Sequence, residues 1–285
     1  TISKPGGSMD ILGHFITVDK KKNFLSETGS GAVVLAIRGT YTLSGIKVDL
    51  AGYSEDFCDG KAHAGIAKCA DNLWTDAKET IVKTLLDNPG FDLVITGHSL
   101  GSGAAALLAL KLKYTDALMK ENVYLKDVKI RCFAFASPPV FWHKDENVKL
   151  TRAMKDTYTF IHEEDCVPFM SVDSVRKLAD MMVDVDKYPK GLLFFDASPL
   201  MAAGLKPIPD DLKKIVYADK EPPSAPDAEK LGIPAPFIMW LRKSSEDNKG
   251  RPMYNTMFCR PKAKGRTIGV SDLNVQLTTG SFSLC

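Results

Sequence analysis

Histidine is scarce in this sequence, and all of it comes early. The five histidines, His14, His63, His98, His143 and His162, lie in the first 162 of 285 residues, so residues 163–285 supply no imidazole. The six cysteines show no CxxC spacing, which excludes a zinc knuckle and a dense disulfide scaffold. Cys132 sits in an apolar, strand-like run and reads as a small buried hydrophobe. Pairing of Cys58 with Cys69 stays open. No run of about 18 apolar residues is present, which excludes a membrane-spanning helix in these residues. The opening TISKPGGSMDILGH lacks the apolar core of a signal peptide, so a secretion or anchoring signal would lie outside these residues. Charge of one sign is missing too: 37 basic residues meet 35 acidic ones, for a net +2, and nothing calls for a nucleic-acid partner.

What is present alternates between strand-like and helix-like segments, and its length suits one α/β domain with insertions. His14 to Asp19 (HFITVD) and Ala32 to Arg38 (AVVLAIR), separated by a polar, Gly-containing stretch, predict two strands. Ile66, Cys69, Leu73, Ala77, Ile81 and Leu85 recur at helical spacing until Asn88, Pro89 and Gly90 stop the helix. Asp92 to Thr96 is a short apolar run leading into the Ala- and Leu-rich SLGSGAAALLALKLKY, which reads as strand, sharp turn and buried helix. Val128 to Ala136 and Thr157 to Ile161 predict central strands of a mostly parallel sheet, buried on both faces. Later, Val172, Val175, Leu178, Ala179, Met182 and Val183 trace one helix face, and GLLFFDASPLMAAGLKPIP follows at Gly191 to Pro209. Five prolines between Ala218 and Pro236 read as an extended loop. Phe237 to Lys243 and Met253 to Arg260 flank the turn-like SSEDNKGRP and predict a hairpin.

Three places carry chemistry. Gly97-His98-Ser99-Leu100-Gly101 matches G-x-S-x-G between a predicted strand and a predicted helix. There a tight turn lifts the serine hydroxyl clear of the backbone, and the helix N-terminus brings N–H groups to where an oxyanion forms. Ile37-Arg38-Gly39-Thr40 ends the second predicted strand, where Thr40 can offer its N–H and hydroxyl as a second oxyanion donor. Without Ser99 as its partner this would be only a strand-ending turn. Past the strand Thr157 to Ile161, the run His162-Glu163-Glu164-Asp165-Cys166-Val167-Pro168 offers three acids able to orient a histidine at the carboxyl edge of the sheet. The residues alone leave Glu163, Glu164 and Asp165 in competition.

Taken together, IRGT, His63-Ala64-Gly65, GHSLGSGAAAL, FAFASPPV (Phe133 to Val140) and EDCVP resemble the class 3 lipases, most of all their diacylglycerol-lipase-like branch, over about residues 12 to 180. The resemblance implies an α/β-hydrolase fold with a mostly parallel central sheet flanked by helices. It implies one domain over residues 1–285, incomplete at both ends, with an irregular, lid-like insertion at 171–250. It makes Ser99 the nucleophile, Asp165 the triad acid, and the N–H groups of Thr40 and Leu100 the oxyanion hole. His63 and His98 match positions that are structural in such lipases. The activity implied is hydrolysis of di- or triacylglycerol through an acyl-enzyme, with no metal or organic cofactor. The implied partners are a lipid substrate and a transient membrane or lipid-droplet surface, in an intracellular, membrane-associated setting with secretion open. The oligomeric state is not specified. YTLSGIKVDL (Tyr41 to Leu50) and LLFFDASPLM stand where a lid or acyl-groove wall would be, and the same segments would serve equally as core.

The family sets its histidine after the acid, following a short strand for which Arg266 to Asp272 is the candidate, and this sequence reaches Cys285 without one. Three accounts are open. The base lies shortly beyond Cys285 in the natural chain; His162 serves as an unusual base; or the protein is a lipase-like binding or signalling module without hydrolysis.

Overall fold

The computed structural model describes residues 2–4, 12–20, 30–39, 54–143, 147–163, 165–170, 231–246, 252–261 and 273–282. The expectations for residues 41–50, 172–183, 191–209 and 266–272, and for Thr40 and Glu164, lie outside the described residues. In chain order the elements are β1 (Ile2–Lys4), β2 (His14–Asp19), β3 (Ala32–Ile37), β4 (Ser54–Phe57), β5 (Gly60–His63), α1 (Ala64–Asp87), β6 (Asp92–His98), α2 (Leu100–Tyr114), α3 (Ala117–Glu121), β7 (Ile130–Phe135), β8 (Phe141–Trp142), α4 (Val148–Met154), β9 (Thr157–His162), β10 (Phe237–Glu246), β11 (Pro252–Pro261) and β12 (Leu273–Phe282).

Among the described residues the main sheet has nine strands in the order β1-β2-β3-β6-β7-β9-β10-β11-β12, and β4, β5 and β8 form a small second sheet. Strands β3, β6, β7, β9 and β10 are parallel, with antiparallel pairs closing both margins. From β3 to β9 each step across the sheet goes the same way. Right-handed crossovers therefore place their helices on one face, where α1 and α2 pack on each other and α2 packs on β6, β7 and α4.

The side-chain pattern follows from this layering. Val33, Leu35, Leu93, Ile95, Cys132 and Ala134 point toward the helices and are buried, as the period of two along a strand requires. The alternate residues Val34, Ala36, Thr96, Phe133, Tyr158 and Phe160 are only partly buried, and Phe135 is exposed. The central strands are thus not buried equally on both faces, as their apolar runs suggested. On the second face aromatic rings cover one another: Phe133 stacks on Tyr158 at 5.4 Å, and Phe135 on Phe160 at 4.8 Å. Rings that bury each other give the same unbroken apolar run in sequence as a strand covered on both sides.

Helix α1 begins where His63 caps it, the ring Nδ1 accepting from the Ile66 N–H at 3.4 Å. It ends where Pro89 cannot continue it, with Asn88 donating back to the Thr84 carbonyl at 2.8 Å. Its buried stripe of Ile66, Leu73, Ala77, Ile81 and Leu85 has the spacing read from the sequence. Helix α2 is buried at every position from Leu100 to Leu110, and its Gly and Ala residues let it lie close against β6 and β7. Truncating Leu107 or Leu108 in such packing costs about 2–5 kcal/mol.

The predicted hairpin is present as β10 and β11, but β10 is also a parallel neighbour of β9. Residues 237–246 are therefore part of the main sheet. No helix among the described residues is long and apolar enough to cross a membrane.

Cys58 and Cys69 are both reduced. Burial pushes the Cys58 thiol up to about 11 and that of Cys132, deep in β7, up to about 12. With such a value only about 0.1% of Cys58 is thiolate at pH 8, and the thiolate is the reactive form. Iodoacetamide at pH 8 should therefore alkylate the exposed Cys166 first, Cys58 slowly and Cys132 only on unfolding. Mass spectrometry of a labelling time course checks this order, and early modification of Cys132 would contradict its place in the core.

Candidate active site

The carboxyl ends of β6, β7 and β9 lie side by side; Ser99 and Leu100 follow β6 and Asp165 follows β9, while Thr40 lies outside the described residues. Ser99 follows β6 directly and caps α2 with φ 55° and ψ −128°. A positive φ at this ψ lies outside even the left-handed helical well and costs a residue with a Cβ about 1–3 kcal/mol, so the surrounding structure has to hold it. The Ser99 N–H donates to the Phe135 carbonyl at 3.0 Å, and its own carbonyl accepts from the N–H groups of Ser102 and Gly103 at 2.9 and 3.3 Å. The Ser102 hydroxyl adds a bond to that carbonyl at 2.6 Å. Ser99 itself is 9% exposed.

The flanking glycines are dictated by contact distances. A Cβ on Gly97 would stand 2.4 Å from the Gly101 carbonyl oxygen, and one on Gly101 would stand 2.6 Å from that of Ile37. Strand and helix can therefore fold back on each other only where both positions lack side chains. Gly39, at the end of β3, is equally tight: its Cβ would meet the His98 oxygen at 2.6 Å and the Ser99 Cβ at 3.4 Å. The loop that leads to Thr40 thus starts against the elbow, on the side where α2 begins. Leu100 is the first residue of α2, and the amides at a helix start carry its positive dipole end.

Two strands from Ser99, the chain leaves β9 and reaches Asp165. The Asp165 Oδ1 accepts from the Val167 N–H at 3.0 Å, and its N–H donates to the His162 carbonyl at 3.1 Å, so the acid sits in a turn fixed from both sides. Strands are spaced about 4.8 Å apart, so the ends of β6 and β9, with β7 between them, lie about 10 Å apart. Glu163 does not share this setting: its Oε1 accepts from the Lys243 N–H of β10 at 2.5 Å.

The histidines are distributed by role. His14 is buried on β2, with Nδ1 at 3.1 Å from the Leu12 carbonyl and Nε2 at 3.6 Å from Asp76. His63 is the α1 cap, and His143 is buried beside the Phe141 ring. His98 and His162 are exposed at the ends of β6 and β9. Sequence reasoning missed Ser102, the Phe135 carbonyl and the Glu163 contact. Ser102, three residues past the nucleophile position, was the one with a legible signal, since a serine there reaches back to the preceding turn.

A family model for Lipase (class 3) matches residues 34–175, the stretch that carries the elbow, the Gly39 loop and the Asp165 turn. This segment belongs to the class 3 lipase family. Diacylglycerol lipase-beta of Mus musculus is 31% identical to this chain over 159 residues, covering 52% of the chain and 21% of the mouse protein. Secreted mono- and diacylglycerol lipase A of Penicillium cyclopium is 30% identical over 149 residues, covering 49% of the chain and 43% of the fungal protein. The match therefore spans less than half the length of either relative. A native Rhizomucor miehei lipase propeptide complex is similar in structure at 17% identity and a TM-score of 0.44, covering 58% of this chain and 49% of that one. The fold is of the α/β-hydrolase type, as the parallel sheet, elbow and buried helix already indicate.

Proposed function

We propose that this protein hydrolyses the ester bonds of acylglycerol lipids through an acyl-enzyme on Ser99. The observation that carries the reading is the left-handed Ser99 at the junction of β6 and α2. That conformation is costly for a serine and is repaid only if its hydroxyl has to stand clear of the sheet. In this reading the hydroxyl attacks the carbonyl carbon while an imidazole takes its proton. The tetrahedral oxyanion is held by the N–H groups of Leu100 and Thr40, and Asp165 orients the imidazole. The alcohol then departs with the proton, and water repeats the attack to release the fatty acid. No metal or organic cofactor takes part, and the base is a histidine set after Asp165 by the family order. Residues 1–285 belong to one lipase domain. The relatives named for mono- and diacylglycerol lipase activity support a neutral glycerolipid as substrate; in this reading it is met at a transient membrane or droplet surface.

The test is fatty-acid release by the full-length protein from diacylglycerol, triacylglycerol and phosphatidylcholine presented in mixed micelles. Release from an acylglycerol at least tenfold faster than from phosphatidylcholine is expected. No ester hydrolysis from any of the three would favour the binding-module account.

A further inference from the structure

Glu163 stands where β9 leaves the sheet, with φ 49°. His162 pairs with Leu241 as the last partners of the β9–β10 ladder, so Glu163 falls opposite Arg242. A residue in that register gives its N–H to the carbonyl one residue before its partner and receives, on its own carbonyl, the N–H one residue after. The first bond is made: the Glu163 N–H donates to the Leu241 carbonyl at 2.8 Å. The second is exchanged. The left-handed turn swings the Glu163 carbonyl away, and it accepts instead from the Trp240 indole N–H at 2.7 Å. The Lys243 N–H, which that carbonyl would have taken, donates to the Glu163 carboxylate at 2.5 Å.

The side chain thus completes the last rung of the ladder while the backbone turns out of the sheet. Two residues later the chain delivers Asp165. A glycine would enter the left-handed region without strain, so what a glutamate adds at this position is the acceptor for Lys243.

We propose that Glu163 is a positioning residue that clamps the acid turn to β10 and so sets where the Asp165 carboxylate stands. The inference rests on the Ser99 acyl-enzyme reading, because its activity readout is Ser99-dependent hydrolysis. It differs from a triad role: the acceptor geometry of Glu163 matters, not its negative charge. Glutamine keeps an oxygen for the Lys243 N–H, whereas alanine removes it.

In the full-length protein, Glu163→Ala is expected to lower kcat for a short-chain diacylglycerol about 10- to 100-fold, the scale of a 1 Å misplacement of a catalytic group, with KM within about twofold. Glu163→Gln should return kcat to within about threefold of wild type. Should the alanine variant not fold, Glu163→Gly keeps the turn unstrained and carries the same expectation. The Trp240 indole resonance of ¹⁵N-tryptophan-labelled protein should move in the Ala or Gly variant and stay in place in the Gln variant. Wild-type kcat in the Ala or Gly variant would overturn the proposal, as would an equal loss in Gln and Ala. If the wild type shows no Ser99-dependent hydrolysis, the lipase reading fails by itself, and the indole resonance still decides whether the clamp exists.

Discussion

Ser99→Ala should lower turnover of an acylglycerol by about 10⁶-fold in the full-length protein, because removing the nucleophile of a triad costs about as much as removing the whole triad. The residual rate would come from binding and from the oxyanion donors, neither of which the substitution touches. Folding should survive it. The bonds that fix the elbow run through the Ser99 N–H and carbonyl to Phe135, Ser102 and Gly103, and alanine keeps both backbone groups. The cost of φ 55° is similar for serine and alanine, since both carry a Cβ. A lost activity accompanied by an unchanged thermal midpoint is therefore the expected pairing. Activity above one hundredth of wild type would mean that the acyl group is not carried by Ser99.

The second large effect is at the acid. Asp165→Asn should cut kcat by about 10³ to 10⁴-fold, the loss that follows when the orienting acid of a triad becomes an amide and the imidazole adopts the wrong tautomer. The asparagine Oδ1 can still accept from the Val167 N–H that holds the turn, so the loop keeps its shape and the loss is chemical. Glu163→Gln and Glu164→Gln should each cost less than about tenfold. For Glu163 the reason is visible, because its carboxylate is occupied by the Lys243 N–H of β10. A large loss at Glu163→Gln or Glu164→Gln, with Asp165→Asn near wild type, would show that the acid has been placed wrongly. Steady-state kcat and KM for the three variants, with circular dichroism as the folding control, decide among them.

The elements that position this site were legible because each had a local cause. The apolar stripe from Ile66 to Leu85 has a helix period, Pro89 and Gly90 stop it, and Gly97 and Gly101 bracket a serine between a strand and a helix. The central parallel strands could be read as apolar runs, yet their second face could not, since mutual stacking of Phe133, Tyr158 and Phe160 leaves the same composition as full burial. The place of β10 was hidden for a different reason. Its pairing with β9 joins residues that are 79 apart in sequence, as in Phe237 with Tyr158, and no local pattern reports a contact of that separation. The clamp at Glu163 was invisible with it: a glutamate in a run of acids looks solvated until the strand that uses its carboxylate is beside it. The hairpin of β4 and β5 was missed because its turn has Cys58 and Asp59 at φ 47° and 57°, positions where glycine or asparagine is the usual signal. The base was left open between His162 and a histidine beyond Cys285, since a triad histidine is defined by where its loop folds, and the five histidines present show no spacing that marks one.

The central claim is the identity of the nucleophile, and reaction with a fluorophosphonate tests it most directly. Such a probe phosphonylates only a serine whose hydroxyl is activated. Full-length protein labelled at neutral pH, digested and sequenced by tandem mass spectrometry should carry one modification, on Ser99, and Ser99→Ala should carry none. Labelling that maps to another serine, or that persists in Ser99→Ala, would contradict the account.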